Sequence, residues 1–169
     1  MQTKLIKEID KANTLLVKFH CGNEEIDSYF QNRALNDEDA VTYCFLDDNL
    51  STIIALSSLS CNGIIVKSKK SLYTYPAVEI KMFAVNDCYK HKSCPIYEGL
   101  NWSDYCFDTT ISIITQFTEK YCGASRVFLY SVPQAVHFYK RQHMQEFTDL
   151  MCRDDRAYLK GCTPMLMCL

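Results

Sequence analysis

The chain lacks an excess of positive charge. Lys and Arg total 18 against 20 Asp and Glu over 169 residues, a formal net charge of −2. That balance excludes a nucleic-acid binder working through bulk electrostatics, which needs a broad basic surface. Two local clusters, Lys67, Lys69, Lys70 and Lys90, His91, Lys92, allow a small basic patch only. No apolar run approaches the roughly 20 residues a membrane helix needs, so no membrane partner is expected. The opening Met1-Gln2-Thr3-Lys4-Leu5 lacks the apolar core of a signal peptide. Repeats, low-complexity tracts and interdomain linkers are also missing, which predicts a single domain over 1–169.

Cysteine is plentiful, with ten in the chain. Cys44, Cys61, Cys106 and Cys122 lie in or beside apolar segments, where a free thiol behaves as a small buried hydrophobe. With no signal peptide, free thiols in a reducing cytoplasm are expected. Cys88-x2-His91-x2-Cys94 offers three soft ligands but no second pair, whereas zinc signatures supply two separated pairs. These are read as loop residues, with no metal.

Residues 3–9 look like a weak first strand, and Lys18 to Asn23 like a strand end or turn. Asn23 is placed to cap a helix over 24–36, with Glu24 and Glu25 in the first turn where the dipole favours acid. Residues 41–46 and 51–61 are strand-like, and Asp47-Asp48-Asn49 between them signals a hairpin. A strand is predicted over 78–85, with Glu79 and Lys81 alternating against Ile80 and Met82. Leu72-Tyr73-Thr74-Tyr75-Pro76 before it is read as a buried loop in preference to an interface. A long helix is predicted over 104–121, with Phe107, Ile111, Ile114 and Phe117 as its apolar stripe and Gly123 as its cap. Strands are expected near 146–151 and 164–168.

The run Val127-Phe128-Leu129-Tyr130 suits a strand buried on both faces. Pro133 then sits where a first helical residue belongs, because its missing N–H would be unpaired there anyway. Ala135, Phe138 and Tyr139 continue at helical spacing. The order is β-α-β-β-β-loop-α-β-α-β-β, which implies an α/β (α+β) fold with a mixed central sheet of six to seven strands and helices on both faces.

A buried strand feeding a helix with Ala135-x2-Phe138-Tyr139 resembles motif B of the GNAT N-acetyltransferases. Phe19-His20-Cys21-Gly22-Asn23-Glu24-Glu25-Ile26-Asp27-Ser28-Tyr29-Phe30 is similar to the F-x-C/S-G-x-x-x-L-D-x-W-L opening of one GNAT subgroup. That subgroup includes the acetyltransferase toxins of bacterial toxin–antitoxin pairs. Ala34-Leu35, Met82-Phe83-Ala84-Val85-Asn86 and the tail Thr163 to Leu169 resemble further stretches of it, in the same order.

The resemblance implies transfer of an acetyl group from acetyl-CoA to a primary amine. Tyr139 would be the general acid, since an unperturbed pKa near 10 keeps it protonated at neutral pH. Glu79 is either a base or a solvent-facing or paired strand residue. Toxin-type members largely lack a dedicated base, because the amine of an aminoacyl ester is already fairly acidic. Phe83, Ala84 and Val85 would pair the pantetheine arm through their backbone. His137 and His143 are read as structural or exposed.

The pyrophosphate loop departs from the family. Its Q/R-x-x-G-x-G/A register falls on Lys90-His91-Lys92-Ser93-Cys94-Pro95, where Pro95 has no N–H to offer, and residues 96–103 are extra. Either the anion site is rebuilt from Asn101, Trp102 and Ser103 with Lys90 or Lys92 as counter-charge, or acetyl-CoA binding has been lost. Asp104 is read as a cap. The implied partners are acetyl-CoA, an amine such as that of charged tRNA, an antitoxin and a second copy in a homodimer. The alternatives are a binding or regulatory protein of this fold without turnover, and a small-molecule amine acetyltransferase.

Overall fold

Alternation along the central strands decides where the helices go. In β2 (Val41–Leu46), Cys44 and Leu46 belong to one apolar cluster and Phe45 to another. In β4 (Leu72–Val85), Met82 and Ala84 join the first cluster, while Phe83 and Val85 join the second. Successive strand side chains point to opposite faces, so both faces are apolar and both need cover. Helices α1 (Ala12–Val17) and α2 (Glu24–Asn32) cover one with Ala12, Leu16, Tyr29 and Phe30. The start of α3 (Trp102–Phe117) covers the other with Trp102 and Cys106.

The structure is a computed structural model, and it describes residues 1–67, 71–147 and 160–169. It divides into two compact units, 1–59 with 82–113, and 60–81 with 114–169. Strands β3 (Ile53–Lys67) and β4 run through both. The strand order is β1-β2-β3-β4-β5-β7-β6. The β4–β5 pair is parallel, and the β1–β2, β2–β3, β5–β7 and β6–β7 pairs are antiparallel. This is the mixed, seven-stranded sheet expected from the sequence.

In the first unit, β1 (Gln2–Leu5) is shorter than the expected 3–9 strand, giving way to a 3-10 turn at Ile6–Glu8. Helix α1 has no counterpart among the elements expected from the sequence. The register between β2 and β3 slips once, Phe45 facing Ala55 and Leu46 facing Ile53. The extra residue, Ile54, therefore shares the α3 side with Ala55. The Asp47 turn forms as predicted, its carboxylate accepting from the Ser51 and Thr52 N–H groups. Asn23 caps α2, its side-chain oxygen accepting from Glu25 N–H and Ile26 N–H at 3.1 Å each. The helix ends at Asn32, earlier than the predicted 36.

Helix α3 begins at Trp102 instead of Asp104 and passes at Phe117 into a π turn, Thr118–Cys122. Gly123 closes it at φ 56, a left-handed conformation that favours glycine. Its buried positions, continued into the π turn, are Trp102, Asp104, Cys106, Phe107, Thr110, Ile114 and Thr118, whereas Phe117 is exposed. The predicted stripe is corrected because Thr110 and Thr118 hydrogen-bond the carbonyls of Cys106 and Thr115. A satisfied hydroxyl can be buried where an apolar side chain was expected.

In the second unit, β5 (Arg126–Ser131) buries Val127, Phe128 and Leu129, so both of its faces are covered. Pro133 opens a 3-10 turn that leads into α4 (Val136–Arg141). Strands β6 (Gln145–Glu146) and β7 (Thr163–Cys168) complete the unit. Residues 148–151 of the predicted 146–151 strand lie outside the described residues, as do Lys69 and Lys70. Leu72 to Pro76, read as a buried loop, are instead an exposed part of β4. His137 and His143 are exposed, as expected.

All nine described cysteines are free thiols. Cys44 and Cys106 are buried, but Cys61 and Cys122 are exposed, correcting their reading as core residues. Burial pushes the thiols of Cys21 and Cys44 up to about 12 and raises that of Cys106 as well. The thiolate is the nucleophile. Iodoacetamide at mildly alkaline pH should therefore label Cys61, Cys88, Cys122 and Cys168 in the native protein and spare Cys21, Cys44 and Cys106. Peptide mass spectrometry before and after urea unfolding checks this pattern.

Candidate active site

Strand β4 outlasts its parallel ladder. The pairing to β5 covers Val78 with Val127 and Glu79 with Phe128, while β4 continues to Val85. In this extension Phe83 packs edge-on against Phe107, with ring centroids 5.3 Å apart. Ala84 and Val85 are buried. The side chains are thus committed to packing, and chemistry offered by these three residues comes from the backbone.

The strand ends at Asn86, which anchors the loop beyond it. Its N–H donates to Ile54 O (2.9 Å) and its side-chain amide to Ile53 O (3.1 Å). Its own carbonyl accepts from Tyr89 N–H (2.8 Å) and Lys90 N–H (3.1 Å), and its side-chain oxygen from Cys88 N–H (3.2 Å). One buried asparagine thereby fixes both the strand end and the first turn of the loop. This role had no signature in the sequence beyond a short polar residue after an apolar strand.

The loop then closes on the start of α3. Cys94 N–H donates to Leu100 O (2.8 Å), and Trp102 N–H donates to Lys92 O (3.1 Å). Trp102 is buried, edge-on to Tyr89 (5.7 Å) and Tyr105 (6.3 Å). Residues 91–93 and 95–99 of the loop are exposed, Tyr97 leaning on Tyr105 at 5.6 Å. Among the described residues, no group of three His, Cys, Asp or Glu side chains is placed to hold a metal ion.

The candidate phosphate-binding residues differ in what they offer. Lys90 is paired with Asp87 at 2.8 Å and donates to the carbonyl of Cys21. Lys92 is exposed. At the helix start the Trp102 N–H is taken by Lys92 O, and the first intrahelical bond is Tyr105 N–H to Asn101 O (3.0 Å). Asn101 Oδ1 is buried with no hydrogen-bond partner among the described residues. The two ends of an amide interchange by rotation, and a helix N-terminus in general favours an anion. Asp104 lies in the first turn, not at the cap, and is buried.

The second unit holds the two candidate catalytic residues. Glu79 is buried, its Oε2 accepting from Asn62 Nδ2 at 2.8 Å and Ser60 Oγ at 3.4 Å. Its carboxylate is therefore hydrogen-bonded within the sheet and does not face solvent. Tyr139 is buried on α4, its ring 5.1 Å from that of Phe138, and burial raises its phenol above the usual range. Such a phenol stays protonated throughout the neutral range. The helix is held at its far end by Met144 N–H to Tyr139 O (3.0 Å) and by Lys140 with Glu146 at 2.6 Å.

No family model matches the chain, and no curated protein sequence is similar to it. Solved structures are similar over 99% of the chain. A tyrosine-to-phenylalanine variant of KacT aligns at 13% identity, TM-score 0.72, with 94% of that chain covered. AtaT in complex with acetyl-methionyl-tRNA aligns at 13% identity, TM-score 0.72, again with 94% covered. A tyrosine-to-phenylalanine variant of the AtaT toxin, bound to the C-terminus of the antitoxin AtaR and to acetyl-CoA, aligns at 10% identity and TM-score 0.72, with 92% covered. The chain has the fold of these proteins, the GNAT fold expected from its motifs.

The importance of Trp102 for the loop is testable. Trp102→Ala should cost about 3–5 kcal/mol, the usual range for truncating a buried aromatic. Trp102→Phe should cost less. Urea unfolding followed by circular dichroism reads both.

Proposed function

We propose that this protein is an acetyl-CoA-dependent N-acetyltransferase that transfers an acetyl group to a primary amine, with the amino group of charged tRNA as acceptor. The observation carrying this reading is the buried tyrosine at the end of the strand–helix unit, within a fold shared along the whole chain with KacT and AtaT. On this reading the protein works in the bacterial cytoplasm as a single catalytic domain, with an antitoxin and a second copy of itself as partners.

Acetyl-CoA supplies the activated acetyl group as a thioester. Asn101 and Ser103 at the start of α3 would hold its pyrophosphate, with Lys92 as counter-charge, and the backbone of Phe83, Ala84 and Val85 would align its arm. Trp102 supports this site by packing. Transfer forms a bond from the amine nitrogen to the acetyl carbon and breaks the carbon–sulfur bond. Tyr139 donates its phenol proton to the departing sulfur. Glu79 accepts the proton released by nitrogen, and water then restores both side chains. A phenol with a raised pKa donates slowly but is always loaded, so its protonation does not limit the rate below about pH 10.

A second reading, a binding protein of this fold without turnover, draws on the Trp102 N–H already being occupied by Lys92 O and on Pro95 in the loop. Acetyl transfer separates the two. Tyr139→Phe should lower turnover about 10²–10⁴-fold, the usual share of general acid catalysis, with little change in acetyl-CoA affinity. Mass spectrometry of charged tRNA and of small primary amines reads the product. Transfer to neither by the wild type contradicts the enzyme reading. Transfer only to small amines replaces the acceptor.

A further inference from the structure

The segment before α2 and the loop after β4 are joined by a compact charged cluster. Lys90 Nζ bridges the Asp87 carboxylate (2.8 Å) and the carbonyl of Cys21. Asp87 N–H donates to His20 O at 2.9 Å. Cys21 N–H donates to Asp27 Oδ1 at 2.7 Å, and His20 Nδ1 lies 3.8 Å from Asp27 Oδ2. Between them Gly22 adopts φ 74, and a Cβ there would stand 3.2 Å from Asp87 Oδ2. Glycine is needed at this position for its conformation and for the close approach of the carboxylate.

We infer that Lys90 is a positioning residue: with Asp87 it clamps the loop 87–94 to the His20-Cys21-Gly22 segment, and so sets the helix-start anion site for acetyl-CoA. This rests on the proposed cofactor and assigns Lys90 a role other than counter-charge. The loop needs such a device because the glycines that would shape it are absent, and Ser93, Cys94 and Pro95 occupy their register. Asn86 fixes one end of the loop and the Trp102 N–H to Lys92 O bond the other. The clamp ties down the stretch between, where Lys90 follows Asp87 by one turn. A positioned Lys90 has its charge already neutralised by Asp87, leaving Lys92 as the cation facing solvent.

The two roles predict opposite signs for one substitution. If Lys90 positions the loop, Asp87→Asn and Lys90→Met each weaken acetyl-CoA binding about five- to tenfold, the net size of one intramolecular hydrogen bond. The double variant is then no weaker than the single ones, Lys90→Arg recovers part of the affinity, and acetyl-pantetheine, which lacks the pyrophosphate, binds all of them equally. If Lys90 were the phosphate counter-charge, Asp87→Asn would release it and tighten binding, which overturns the inference. Effects that multiply in the double variant, or that fall equally on acetyl-pantetheine, overturn it as well.

A readout independent of the cofactor is the labelling rate of Cys94, buried inside the loop, with exposed Cys61 as reference. Faster Cys94 labelling in both single variants supports the clamp, and an unchanged rate overturns it. Should the wild type bind no acetyl-CoA, the proposed function falls and this thiol readout still decides the clamp.

Discussion

The burial of both faces of β2, β3 and β4 in the first unit is the constraint on which the other features depend. Cys44, Leu46, Leu56 and Ala84 look one way, and Phe45, Ala55 and Val85 the other. Burying apolar area contributes on the order of 25 cal/mol per Å², so neither face is tolerable in water. Two short helices cover one face and the start of a long helix covers the other. The long helix must therefore begin close to where β4 ends, and the chain between them becomes a loop held at both ends. Asn86 and Trp102 are those ends. The helix start proposed to hold the pyrophosphate is thus placed by the need to cover the second face of the sheet.

Local chemistry made several of these features legible in advance. The Asn23 cap, the Asp47 turn, Gly123 and Pro133 each act through their own backbone or the next few residues, so the signal lies within a short window. The features that were missed depend on distant partners. Helix α1, Ala-Asn-Thr-Leu-Leu-Val, has weak intrinsic propensity, and buries Ala12 and Leu16 in a core built mostly by other segments. The first part of β4 contains Pro76 and two exposed tyrosines, which reads as a loop until the long β3 strand beside it is known. Thr110 and Thr118 looked polar in sequence and are buried because a carbonyl one turn back satisfies each hydroxyl.

The candidate site shows the same division. The placement of Tyr139 on a helix was legible because strand, proline and helix occur in one continuous stretch. The setting of Glu79 was not, since Asn62 and Ser60 lie well back along the chain in β3. Lys90 looked like a phosphate ligand from its place in a loop register, and its ties to Asp87 and Cys21 emerge only once the segment before α2 is brought alongside. Fold and function also separate here. The fold is shared over 99% of the chain with KacT and the toxin AtaT, while the loop proposed to hold the cofactor departs in sequence from the glycine pattern of the resemblance, and function is carried by the site.

The proposed chemistry requires that this rebuilt loop still holds the cofactor. Calorimetric titration of the wild-type protein with acetyl-CoA decides the matter. Binding is expected at a single site in the micromolar range, weakened by added 3′,5′-ADP, which competes for the helix start. Titration without heat of binding, together with an unchanged melting temperature at saturating acetyl-CoA, would show that the loop no longer holds it, because any ligand selective for the folded state must stabilise that state.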